Sequence, residues 1–240
     1  MEKNIEFKQI ILVTDGKSNK GINPITVAEN AVNSGISIST IGIIEGSKDK
    51  EYLQEIKGIA KAGRGLWEIT DIEDLEKSIC LLTKQTVCKT IEQAVNKELQ
   101  AIIGKELQNI EPDSRKKIIN FIEKIEDGMT IKCSVVLDCS KSMTNKIEIA
   151  KKSIISLLRN LSERKGKTFV SVIAYPCDEE TDSKIISNLT NDIKSLEKAI
   201  KEIEIGGLTP TGSALQAAIN LLNNKNDTLK EEGLFESLII

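Results

Sequence analysis

Ser134-Val135-Val136-Leu137-Asp138-Cys139-Ser140-Lys141-Ser142-Met143 sets an uncharged, β-prone run directly against a turn rich in carboxylate and hydroxyl groups. An apolar run of this length bounded by a polar turn predicts a buried strand. In a parallel α/β sheet, ligands collect at the carboxyl ends of strands, near the point where strand order reverses. Asp138, Ser140 and Ser142 would stand at such an end and offer one carboxylate and two hydroxyls, half of a binding site for a hard cation.

Downstream of this stretch the pattern stays α/β. Residues 146–161 predict a helix, 168–174 a strand, 184–187 a short strand, and 192–203 and 212–222 two further helices. Upstream, residues 9–14, 36–44 and 65–69 predict strands, separated by helices over 24–33 and 49–62 and closed by another over 72–83. Gly35 and Gly63 stand where C-terminal helix caps are expected. Strands alternating with helices imply a doubly wound, mostly parallel sheet of Rossmann type. Between the two α/β segments the pattern turns to helix alone. Val87, Ile91, Val95, Leu99, Ile102, Ile103 and Leu107 mark one apolar face, and Ile118, Ile119, Ile122 and Ile125 mark a second helix after Pro112. The expected organisation is a half-domain over 1–83, a helical connector over 84–131 and a second half-domain over 132–240. Trp67, the sole tryptophan, reads as core packing on a short strand.

Composition narrows the chemistry. The 240 residues include no histidine, which removes imidazole from the possible bases, nucleophile activators and zinc ligands. Five cysteines, an odd number without a C-x-x-C pair, speak against a disulfide framework or a zinc ribbon and predict reduced, mostly buried thiols. Oxygen ligands remain, and these favour Mg²⁺ or Mn²⁺. A net charge of −3 supplies no basic field for nucleic acid or an anionic membrane. The first apolar run, residues 10–13, is too short for a signal or spanning segment, so a cytoplasmic location is expected.

Asp-x-Ser-x-Ser-Met after a hydrophobic strand resembles the first motif of the metal-ion-dependent adhesion site in von Willebrand factor A domains. Gly206-Gly207-Leu208-Thr209-Pro210-Thr211-Gly212-Ser213 is similar to the family's second loop, whose threonine reaches the metal; Thr209 is the better match and Thr211 the fallback. Ile11-Leu12-Val13-Thr14-Asp15-Gly16 resembles the third motif, whose aspartate completes the site. The resemblance implies a metal held by Asp138, Ser140, Ser142, Thr209 and Asp15. It also implies a protein partner whose acidic side chain fills the open coordination position, and an adaptor role in an intracellular assembly. Without a phosphate-binding P-loop in this chain, a ring-forming ATPase would have to be the partner.

The order of the motifs departs from the family, because the Thr-Asp-Gly strand comes first and the threonine loop last. Three arrangements are open: a circular permutation within one chain, half-domains exchanged in a swapped homodimer, or an incomplete piece of a tandem array. For the last, the hexapeptide from Phe235 to Ile240 matches the pattern of that from Phe7 to Leu12. The resemblance implies a binding module, and no enzyme is expected. A competing reading is a metal-dependent phosphohydrolase or phosphotransfer domain with Asp138 as nucleophile; the acidic run of Asp178, Glu179, Glu180 and Asp182 follows an edge-ward strand and reads as a solvated loop. A fragment without a functional site is the third.

Overall fold

Continuous apolar runs give strands buried on both faces, and they assemble into one six-stranded sheet in the computed structural model, which describes residues 6–44, 50–176 and 182–224. In chain order the first part comprises β1 (Glu6–Thr14), α1 (Pro24–Asn33), β2 (Ile36–Ile43), α2 (Lys50–Ala62) and β3 (Arg64–Thr70). There follow α3 (Leu75–Ile103) and α4 (Pro112–Gly128). The last part comprises β4 (Thr130–Asp138), α5 (Ile147–Ser162), β5 (Thr168–Tyr175), β6 (Lys184–Thr190), α6 (Ile193–Lys201) and α7 (Thr211–Asn223). The sheet order is β3-β2-β1-β4-β5-β6, parallel throughout except for β6. It is the Rossmann-like α/β architecture expected from the sequence.

Side chains alternate strictly between two cores, as a period of two requires. Ile11 and Val13 of β1, with Cys133, Val135 and Leu137 of β4, face α3, α5 and α6. Ile10 and Leu12 of β1, Val136 of β4, and Ile173 and Tyr175 of β5 face α1, α2 and α7. A one-residue slip in either central strand would exchange the two sets.

Both halves join within one chain, as a circular permutation requires. β1 lies parallel to β4 from Glu6 opposite Thr130 to Val13 opposite Leu137, and parallel to β2 on its other side. The slot beside β4 is therefore filled by the amino-terminal strand; residues 235–240, which share its pattern, lie outside the described residues.

Three local expectations are corrected. The boundary at residue 84 falls inside α3, a single 29-residue helix with no glycine or proline, closed only at Gly104 in the left-handed conformation (φ 67°). Val87, Ile91 and Val95 of the expected connector are buried in the same core as Leu75 and Ile79, so this stretch extends the domain's own helix. At the α2–β3 junction Arg64, not Gly63, takes the left-handed conformation (φ 54°). Gly63 is needed for closeness instead, since a Cβ there would lie 2.6 Å from that of Ile38. Trp67 is 46% exposed because β3 is an edge strand, and the Lys57 ammonium lies 4.5 Å from its ring centroid. Of the cysteines, Cys133 and Cys139 are buried, Cys80 and Cys88 are half-buried, and Cys177 lies outside the described residues.

A polar chain crosses the core beneath α3. The Gln9 amide donates to Ser39 Oγ at 3.2 Å, Ser39 Oγ meets Thr86 Oγ1 at 2.9 Å, and Leu66 N–H donates to the same Ser39 oxygen at 3.1 Å. All three side chains are buried. Ser39→Ala removes the shared partner and leaves donors unsatisfied, so a loss of about 1–3 kcal/mol is expected in urea denaturation. A loss below about 0.5 kcal/mol would mean that the chain contributes no stability.

Candidate functional site

Strand order reverses between β1 and β4, and the residues singled out by sequence gather at the carboxyl ends of these two strands. β4 stops because Asp138 turns its carboxylate onto its own chain, Oδ1 accepting from Ser140 N at 2.8 Å. A 3-10 turn over Lys141–Met143 then presents Ser142, whose hydroxyl meets Ser140 Oγ at 3.1 Å. From β1, the Thr14 hydroxyl donates to Asp138 Oδ2 at 2.6 Å, and Asp15 Oδ1 accepts from Ser142 Oγ at 2.6 Å. Four of the five expected ligands, Asp138, Ser140, Ser142 and Asp15, thus lie in one hydrogen-bonded ring.

The fifth, Thr209, lies on a loop fastened at two points. Gly206 N donates to Cys139 O at 2.8 Å, beside a bridge between Ser140 and Gly206. Thr209 N donates to Asn19 Oδ1 at 2.8 Å, and Thr209 O accepts from Asn19 N at 3.2 Å. Thr209 is buried on this loop. The fallback Thr211 opens α7, and its Oγ1 is buried without a hydrogen-bond partner among the described residues, as is the Tyr175 phenol oxygen. Burial, then the Asp138 charge, push the Tyr175 phenol well above its ordinary range, with the Thr211 and Thr14 hydroxyls opposing the rise.

Several participants were not singled out from sequence. Thr14 was visible only as part of its motif. Tyr52 of α2 donates to Thr14 O at 3.0 Å, and burial, then the charges of Asp15 and Asp138, push its phenol well above its ordinary range. Lys146 places its ammonium 2.6 Å from Asp15 Oδ2 and 3.0 Å from Ser142 O. No spacing in the sequence points to it, because 131 residues separate it from Asp15. Of the acidic run, Asp178, Glu179 and Glu180 lie outside the described residues; Asp182 pairs with Lys20 at 2.9 Å and accepts from Ser213 Oγ at 2.8 Å.

The donor set suits a hard divalent cation in kind: two carboxylates and several hydroxyls, with oxygen as the only ligand atom. Among the described residues no group of three or more carboxylate, thiol or imidazole side chains is placed to hold an ion, so hydroxyls would have to complete any shell.

Burial pushes the Asp138 carboxyl up to about 6; the Thr14 and Ser140 donors oppose the rise and the Asp15 charge adds to it. An unfolded aspartate titrates near 3.9. Between those values the native state holds a proton that the unfolded chain has lost, so this group makes the metal-free fold less stable as pH rises from about 4 to 6. Asp138→Asn keeps an acceptor for Ser140 N without the charge. In EDTA at pH 7.5 it is expected to be more stable than the wild type, by on the order of 2 kcal/mol, with the gap about halved at pH 5 and closing near pH 4. Thermal melts across this range check the sign; an asparagine variant less stable at pH 7.5 would overturn it.

Family models described as von Willebrand factor type A domain match residues 134–234 and residues 6–79. The uncharacterized protein YabS of Bacillus subtilis (strain 168) is 31% identical over 218 residues, 90% of this chain and 89% of that protein. A crystal structure of an uncharacterized protein from Alicyclobacillus acidocaldarius subsp. acidocaldarius DSM 446 is 33% identical and superimposes with a TM-score of 0.82 over 90% of this chain and 94% of that one. The models meet at the two strands that carry the site, and these likenesses run through nearly the whole length of each chain: the protein belongs to the von Willebrand factor type A domain family.

Proposed function

We propose that this domain binds a protein partner through a divalent cation, Mg²⁺ or Mn²⁺, held at the carboxyl ends of β1 and β4. The observation that carries the reading is the convergence of Asp15, Asp138, Ser140 and Ser142 from segments more than 120 residues apart into one contiguous oxygen cluster. Asp138, Ser140, Ser142, Thr209 and Asp15 would hold the ion. When bound, it supplies a Lewis-acidic point that an acidic side chain of the partner can ligate.

The surroundings suit a protein ligand. Ile22 and Leu208, on the loops that flank the site, are 53% and 57% exposed. Beside Ile22 a groove of about 650 Å³ runs along residues 17–25 against Glu51, Gln54 and Glu55. Its walls are held by Lys17 on Glu51 at 2.6 Å and by Ser18 N on Glu55 at 2.7 Å. Exposed aliphatic groups around a desolvated polar centre are the composition of a protein interface. An adaptor role, with a ring-forming ATPase among the eligible partners, is consistent with this surface. Among the described residues no helix is long and apolar enough to cross a membrane.

The phosphohydrolase reading fits less well. Both Asp138 oxygens already accept hydrogen bonds, from the Thr14 hydroxyl and from Ser140 N, which lowers their nucleophilicity. Mg²⁺-dependent turnover of a generic phosphate ester that Asp138→Asn abolished would favour it over binding.

A ligand that binds only the native state adds RT ln(1 + [L]/Kd), about 2.7 kcal/mol at a hundredfold excess over Kd. Melting in millimolar Mg²⁺ or Mn²⁺ should therefore rise above that in EDTA, and Asp15→Ala and Asp138→Ala should each remove the gain. Melting unaffected by either metal would overturn the reading. A gain that survived Asp15→Ala would place the ion elsewhere.

A further inference from the structure

The cation cluster already contains a cation. The Lys146 side chain is 6% exposed and that of Asp15 1% exposed, and the two meet at 2.6 Å. The same ammonium donates to Ser142 O at 3.0 Å, while Asp15 Oδ1 takes the Ser142 hydroxyl. Both oxygens of Asp15 are thus engaged. Lys146 is the residue immediately before α5, so its charge sits at the positive end of that helix, where a cation is disfavoured. Burial of an ammonium is a second penalty. The Asp15 carboxylate is the group that offsets both.

Charge balance then decides what a metal would meet. Two ionised carboxylates, Asp15 and Asp138, neutralise one divalent ion. With Lys146 still in contact, a positive charge is left over in a buried site, and the ion must also compete for Asp15 Oδ2. Removing the ammonium relieves both.

We propose that Lys146 sets the metal response of this centre: its ammonium is the resident counter-cation of Asp15 in the metal-free protein, and a divalent ion enters by displacing it. The inference rests on the metal-binding reading above and assigns a role to a residue outside the ligand set. It follows that the wild-type site folds without metal and binds divalent ions more weakly than its oxygen donors alone would allow. A variant without the charge gains affinity and comes to depend on the ion.

The test titrates Mn²⁺ into wild type, Lys146→Met, Lys146→Gln and Lys146→Arg at pH 7.5, reading free Mn²⁺ by electron paramagnetic resonance, and melts each protein in EDTA. Lys146→Met and Lys146→Gln are expected to bind at least ~10-fold tighter than wild type, equivalent to about 1.4 kcal/mol. Lys146→Arg, which keeps the charge, should stay on the wild-type side of that gap. In EDTA both neutral variants should melt below wild type and recover with Mn²⁺; the glutamine, close to lysine in length, serves if the methionine does not fold. Tight binding by the neutral variants alone is the strongest form of this result. Equal affinities in all four proteins would overturn the role of Lys146 and leave metal binding intact. Binding by none would overturn the metal reading and this inference together. Neutral variants as stable as wild type in EDTA would also refute it, since Asp15 would then need no counter-charge.

Discussion

Parallel pairing between β1 and β4 joins segments that are 124 residues apart at the level of Thr14 and Asp138, and the fold and the site both hang on its register. Unpaired, each strand would expose a row of main-chain donors and acceptors along an apolar ribbon, an edge that aggregates. Paired, they become the two central strands, divide their side chains between two cores, and end level with each other. That common end sets the Thr14 hydroxyl on Asp138 and Asp15 on Ser142. That Thr14 meets Asp138 and Asp15 meets Ser142 is thus a consequence of strand register.

The two aspartates so brought together are treated differently. Asp138 ends a central strand, is wholly buried, and relies on neutral donors, which leave part of its desolvation unrelieved. Asp15 has an ammonium in contact. One carboxylate therefore stands without a full counter-charge, and the other has its counter-charge in direct contact. The surrounding hydroxyls of Ser140 and Ser142 hydrogen-bond to each other, so no buried oxygen among these four residues is left without a role.

Much of this was legible in the chain. Strands buried on both faces read as continuous apolar runs, which is why residues 9–14, 36–44 and the run from Ser134 to Leu137 could be placed closely. Asp138, Ser140 and Ser142 are local in sequence, so their convergence could be read directly. Asp15 was found through its motif, and only tertiary structure shows that it reaches the same point. Lys146 could not be found in this way, since an ammonium at a helix start looks like a solvated side chain until its partner from another strand is in view. The boundary drawn at residue 84 had a different cause. It marked the end of the strand pattern, whereas nothing between Leu75 and Ile103 breaks a helix. Trp67 was misplaced because a short strand does not announce whether it lies at an edge.

Permuted order has a consequence for biosynthesis. Translation delivers β1, β2 and β3 first, so three adjacent strands of the sheet leave the ribosome with one side of β1 uncovered. At a synthesis rate of about 5–20 residues per second, the 124 residues that separate Thr14 from Asp138 take roughly 6–25 s to appear. Throughout that interval the nascent chain carries a long apolar edge whose only partner in the finished sheet has not yet been made. α3, emerging in the meantime, can cover one face of the strands but not their hydrogen-bonding edge. The arrangement that puts β1 at the centre of the finished sheet therefore leaves it an unpaired edge for as long as β4 is unmade.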